Sequence, residues 1–133
     1  MSLFIKLLGN KGENAAERHL KSIGYKIMGR NVRVGMKEID ILAMDGEYIV
    51  FVEVKTVKQR SDGSYPNRPA TYVDRNKKNN LILAAIRYMK QYSPPLIPRI
   101  DVIEVYLDNN GNRTEHIIGA VNRNDLKPKR RRI

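Results

Sequence analysis

Tyr48-Ile49-Val50-Phe51-Val52-Glu53-Val54-Lys55-Thr56 is a strand sequence with two charges set into it. Five of its nine residues are β-branched and two more are aromatic, a composition suited to a central strand. Residues i and i+2 of a strand point to one face, so Glu53 and Lys55 share a side while Val52 and Val54 fill the other. Ionised groups are rarely buried unless they are paired or bind a metal, because desolvation costs several kcal/mol per ion, as an order of magnitude. The pattern therefore calls for a metal, a partner, or both.

The preceding segment supplies a second carboxylate. Glu38-Ile39-Asp40-Ile41-Leu42-Ala43-Met44 reads as another strand, and Asp45-Gly46 is a hairpin turn signal, so the two strands are expected as antiparallel neighbours. Asp40, thirteen residues before Glu53, then falls roughly opposite the residues just after Val50. Two carboxylates converging there suit Mg²⁺ or Mn²⁺, which prefer oxygen ligands and keep several waters. A lysine beside such an ion can orient or deprotonate a water and stabilise charge on a phosphate. The plainer alternative is a cross-strand Glu–Lys pair that only stabilises a sheet surface.

Around this hairpin the chain reads as α-β-β-β-α-β-β, an α/β fold with a mixed sheet and helices at its faces or edges. Residues 12–23 carry apolar side chains at helical spacing and stop at Gly24. Tyr25–Val34 suggests a first strand, irregular near Gly29. Lys58–Tyr72 is polar, contains Gly63, Pro66 and Pro69, and reads as a long loop. Asp74 is placed to cap a helix running to about Tyr92, which Pro94-Pro95 end. Arg99–Tyr106 and Thr114–Ile118 complete the strands, separated by a turn at Asp108–Asn112. Residues 1–126 are expected to form one domain, with 127–133 a basic, disordered tail.

Twenty-five Lys and Arg against fourteen Asp and Glu leave a formal charge of +11, which favours a polyanionic partner such as DNA, RNA or an acidic membrane surface. The absence of cysteine excludes disulfides, zinc-thiolate sites and cysteine nucleophiles. Lys6 and Gly9 interrupt the apolar start too early for a secretory signal, and no run approaches the roughly 18 apolar residues of a membrane span, so a cytoplasmic protein with no membrane association is expected. Gly9, Gly12, Gly24 and Gly35 form no phosphate-loop pattern, which argues against a nucleotide-dependent enzyme.

The blocks Gly12-Glu13, Gly24-Tyr25-Lys26-Ile27, Arg30-Asn31, Glu38-Ile39-Asp40-Ile41-Leu42-Ala43, Val50 to Thr56 and Arg99-Ile100-Asp101-Val102 closely resemble the YraN family of bacterial proteins. That family looks like a branch of the PD-(D/E)XK nuclease superfamily, nearest to archaeal Holliday junction resolvases. The resemblance covers about residues 9 to 106 and implies a restriction-endonuclease-like fold. It also implies that Asp40 and Glu53 are metal ligands, that the Val54 carbonyl completes the protein's share, and that Lys55 is the catalytic lysine. Glu13 matches an acidic residue that resolvase-like members place at the metal site; otherwise it is a carboxylate at a helix N-terminus, favoured by the dipole by about 0.3–1 kcal/mol. Glu38, on the face of Asp40, could support the ligands or serve only structure. Two positions depart from the family: Lys37 replaces a usual glycine and Val57 a common arginine.

Eight Lys or Arg against two Asp lie between Lys58 and Lys90. Arg75, Lys77 and Lys78 cluster at a helix start, where free backbone N–H groups also favour phosphate. By the resemblance, Lys77 is the foremost phosphate contact. Tyr65 and Tyr72 could stack on unpaired bases. His19 and His116 have no partner at a recognisable spacing and read as structural. Together these features point to a Mg²⁺- or Mn²⁺-dependent endonuclease acting on branched or damaged DNA, for which a homodimer would suit a two-fold junction. The alternatives are a non-catalytic nucleic-acid-binding module that keeps the fold, and a scaffold whose basic surface meets RNA or an acidic protein.

Overall fold

A computed structural model describes the backbone of residues 3–65, 75–108 and 111–121, and the side chains of these apart from 3–9, 75–78 and 121. The elements follow the expected order: α1 (Leu3–Ser22), β1 (Lys26–Val34), β2 (Lys37–Asp45), β3 (Tyr48–Lys58), α2 (Arg75–Tyr92), β4 (Ile97–Asp108) and β5 (Gly111–Val121). The five strands form one mixed sheet in the order β1-β2-β3-β4-β5. Only β3 and β4, the pair joined through α2, are parallel; the other neighbours are antiparallel.

Each helix covers one face. Leu81, Ile82, Ala84 and Ala85 of α2 pack on Leu42, Ile49, Phe51 and Ile100, whereas Ala15, Ala16 and Leu20 of α1 pack on Ile41, Ala43, Val50, Val52, Ile103 and Val105. The middle of β3 is therefore enclosed on both sides, and Ile49, Val50, Phe51 and Val52 are each 0% exposed. This accounts for the unbroken apolar run at its start.

The β2–β3 hairpin turns at Gly46, whose φ of 57° suits glycine, and Asp45 pairs with Tyr48. Its ladder runs only as far as Ile41 opposite Val52. Beyond that point β2 stays with β1, through Val32 opposite Ile39 and Val34 opposite Lys37, while β3 continues beside β4 to Lys58 opposite Leu107. The β1–β2 hairpin thus peels away from β3, and residues 53–56 are only half-buried.

The first helix differs from expectation. It begins at Leu3, so Glu13 lies well inside it and no acidic residue occupies its first turn. The helix-terminus reading of Glu13 is thereby removed. Gly12, a costly residue inside a helix, is there because of what it touches: a Cβ built on it would meet Thr56 Oγ1 at 2.0 Å. Its bare backbone lets α1 press against β3 at the end where the hairpin opens. β1 has its irregularity between Ile27 and Gly29, as expected. The expected cap Asp74, Tyr72 and the 127–133 tail lie outside the described residues.

Candidate metal and nucleic-acid site

Where β2 leaves β3, the next residues after the last ladder pair are Asp40 and Glu53. The expected juxtaposition follows from register alone, without a bulge in β3. The ladder is replaced by a side-chain bond: the Val54 amide donates to Asp40 Oδ2 at 2.9 Å. In a strand the N–H and C=O of one residue project to the same edge, so the Val54 carbonyl also faces the β2 side. Across from Asp40, Asn31 of β1 adopts a φ of 51°, and its neighbour Arg30 turns toward α1.

Asp40 and Glu53 line a cavity of about 300 Å³ together with Glu38, Lys37 and Asn80. Lys37 donates to Asn80 Oδ1 at 2.8 Å, linking β2 to α2 across it. Lys37 thus forms part of the cavity wall. Burial, followed by the charge of Glu53, pushes the Asp40 carboxyl up to about 7; a hydrogen bond with Glu53 and the charge of Glu38 act in the same direction, against the Val54 amide.

Glu13 reaches this pair from α1. Its carboxyl is raised by burial and then by the charge of Asp40, and is opposed by Arg30 and Asn31. Arg30 Nη2 lies 3.4 Å from Glu13 Oε1, and Arg30 Nη1 donates to Asn14 Oδ1 at 2.6 Å. Lys55 is half-buried and its Cα sits opposite Glu104 of β4, on the face of Glu53. Glu104 is 1% exposed and accepts from the Tyr106 hydroxyl.

Among the described residues no group of three or more His, Cys, Asp or Glu side chains is disposed to hold a metal ion. The donor set at the opening is a carboxylate pair, and so few oxygen ligands fit a hard divalent cation that retains waters rather than one held in an all-protein cage. Of the expected phosphate contacts, Arg75, Lys77 and Lys78 lie in the first turn of α2, and their side chains fall outside those described. Tyr65 packs edge-on against Tyr106, with ring centroids 5.2 Å apart, and its hydroxyl approaches the Leu107 carbonyl at 3.4 Å.

A second polar cluster lies toward the opposite end of β4. Asp101 is 0% exposed and accepts from Arg99 Nε at 2.9 Å, Arg99 Nη2 at 3.0 Å, the Gly119 amide at 3.0 Å and His116 Nε2 at 2.8 Å. Burial works to raise its carboxyl, but the bonds from His116, Arg99 and Gly119 outweigh it and hold the group below its ordinary value. Arg99 also donates to Asp45 Oδ2 at 2.9 Å and to the Tyr25 hydroxyl at 2.5 Å. His116 Nδ1 meets His19 Nε2 at 3.1 Å, so the two histidines that lacked partners in sequence are partners of each other. The cluster ties α1, β2, β4 and β5 together. Its signal was present in Arg99-x-Asp101, which repeats the charge-x-charge interruption of Glu53-x-Lys55 in another apolar strand.

The element order and mixed sheet place the chain in the restriction-endonuclease-like class of α/β proteins. Residues 12–105 match the sequence profile of a family described as "Uncharacterised protein family UPF0102". The chain belongs to this family, UPF0102, also called YraN. It is 42% identical over 115 residues to the UPF0102 protein of Parafrankia sp. (strain EAN1pec), spanning 85% of this chain and 94% of that one. It is 41% identical over 121 residues to the UPF0102 protein of Geobacter metallireducens, spanning 90% and 96%. Among solved structures, Pyrococcus furiosus SfsA in complex with Ca²⁺ is similar at 18% identity and a TM-score of 0.36, with 86% of this chain and 62% of that chain covered. So distant a likeness carries no argument about the site. Among the described residues no helix is long and apolar enough to cross a membrane.

Proposed function

We propose that this protein is a metal-dependent endonuclease that hydrolyses phosphodiester bonds in branched or damaged DNA. The observation that carries the reading is the Asp40–Glu53 pair, hydrogen-bonded in a cavity at the point where β2 leaves β3, with Asp40 pushed up to about 7. A lone sheet-surface ion pair has no need of two touching carboxylates.

Asp40 and Glu53 would hold Mg²⁺ or Mn²⁺, with the Val54 carbonyl as the third protein ligand. When bound, the ion supplies Lewis-acid stabilisation of charge developing on the phosphate and makes a nearby water more acidic. The Val54 amide fixes Asp40 Oδ2 and so orients that carboxylate. Lys55, on the face of Glu53, orients the attacking water and offers a positive charge to the phosphate. Glu13, anchored by Arg30, adds a further carboxylate beside Asp40 and favours cation over anion at the opening. A net charge of +11 supplies sequence-independent attraction to the polyanionic substrate. A homodimer suits a branched substrate with two-fold symmetry.

Labelled linear, flapped and four-way DNA, each incubated with the protein under Mg²⁺ and Mn²⁺ titration, tests this. Metal-dependent cutting of a branched substrate that disappears in Glu53→Gln supports it. Binding without cutting of every substrate assigns the protein instead to the nucleic-acid-binding modules.

A further inference from the structure

On the α1 side of the sheet, across from the α2-walled cavity of Asp40 and Glu53, is a second cavity of about 470 Å³. Lys11, Lys58 and Arg60 line it, with Asp108 as the acidic residue of the wall. Even with Asp108 counted, the lining carries a net charge of +2. Three separate elements contribute: α1 supplies Lys11, the end of β3 supplies Lys58, and the following loop supplies Arg60.

The loop is held by its own hydrogen bonds. The Arg60 amide donates to the Ser64 carbonyl at 2.6 Å, the Gly63 amide to the Arg60 carbonyl at 2.9 Å, and Gln59 Nε2 to the Gly63 carbonyl at 2.7 Å. Asp62 accepts from both the amide and the hydroxyl of Ser64, at 2.9 and 2.6 Å. The acidic side chain of this turn is thus engaged with Ser64, and Arg60 is carried on a closed frame. The opposite wall is fixed by the Gly12–Thr56 contact, one residue after Lys11 and two before Lys58.

We propose that this cavity binds a backbone phosphate of a nucleic acid engaged by the protein. Lys58 follows Lys55 by three residues, an odd offset that turns it to the α1 face of the sheet, opposite Glu53 and Lys55. Convergent cations in a concave site match a tetrahedral oxyanion, and the planar guanidinium of Arg60 can bond two of its oxygens. The proposal rests on the nucleic-acid reading above for the identity of its ligand.

Binding, rather than cleavage, provides the test. Anisotropy of a fluorescein-labelled 20-base-pair duplex is followed in EDTA over a salt series with the full chain, the double variant Lys11→Gln/Arg60→Gln, and a charge-matched control, Lys26→Gln/Lys90→Gln. All four side chains are exposed, and the hydrogen bonds that close the loop use the Arg60 backbone, so each variant keeps the fold; a thermal melt checks this. The Lys11/Arg60 variant is expected to bind about tenfold more weakly, with a salt slope smaller by about one, and the control to lie near wild type. Superimposable curves for wild type and the Lys11/Arg60 variant, equal losses in the control, or no duplex binding by wild type overturn the proposal. A protein that binds through this cavity but cuts nothing keeps the proposal and refutes the nuclease reading. A protein that cuts DNA while the Lys11/Arg60 variant binds normally does the reverse.

Discussion

The Val54 amide donates to Asp40 Oδ2 at 2.9 Å, one step beyond the last ladder pair of β2 and β3. A main-chain donor that would otherwise pair with a neighbouring strand is given to a carboxylate, so the sheet opens and the acid is fixed in the same act. Asp40 is held there at a cost, since burial and Glu53 both oppose its charge.

That cost sets the pH dependence of stability. The folded-state value of Asp40 is about 7, against 3.8 for the ordinary carboxyl, so its stabilising contribution is full below 3.8 and is lost as pH rises through about 7. Asp40→Asn, which keeps an oxygen for Val54, is expected to gain on wild type across that window and to be more stable at pH 7.5 by about 1–2 kcal/mol. Urea denaturation of both proteins at pH 4.5 and 7.5 measures the difference.

Mg²⁺ or Mn²⁺ should offset the same repulsion. At 100 times its Kd a ligand that binds only the folded state adds about 2.7 kcal/mol. Thermal melts at pH 7.5 are expected to rise with added Mn²⁺ in wild type and to stay flat in the double variant Asp40→Asn/Glu53→Gln.

Gly12→Ala tests what brings Glu13 to the site. Alanine favours a helix over glycine by about 1 kcal/mol, yet the new methyl meets Thr56 Oγ1 at 2.0 Å. Net destabilisation of about 1–3 kcal/mol is expected from overpacking. Adding Thr56→Ala should recover most of it, read from denaturation midpoints.

The Asp101 cluster predicts a large loss on truncation. Asp101→Ala leaves the Arg99 guanidinium without its principal partner in a buried setting and is expected to cost about 3–5 kcal/mol. His19, lowered by burial and by the nearby His116, adds a pH effect of its own. A histidine with a depressed folded value stabilises above its ordinary 6.5, and that contribution is lost as pH falls below it. The midpoint drop between pH 7.5 and 5.5 should be shallower in His19→Gln.

Much of this is legible in the sequence. Asp45-Gly46 fixed the hairpin, the turn set the register, and the register put Asp40 beside Glu53, because all three relations are local in sequence. The start of α1 was not legible. The helix is expected from its spacing to begin at Gly12, whereas it begins at Leu3 and Gly12 answers to Thr56, forty-four residues away. Nor was the partnership of His19 and His116, which are separated by 97 residues and meet only once β5 is laid beside β4. The basic cavity was hidden for the same reason: Lys11 and Arg60 look like isolated surface charges until α1 is pressed onto β3.

The most direct test of the Asp40–Glu53 site is single-turnover cleavage of a labelled four-way junction at saturating protein with Mg²⁺ or Mn²⁺. Wild type is predicted to cut, EDTA to stop it, and Glu53→Gln and Lys55→Gln each to slow it by about 10²–10⁴-fold while junction binding is retained. Wild-type protein that binds the junction and leaves it intact with either metal, or variants that cut as fast as wild type, would contradict the assignment.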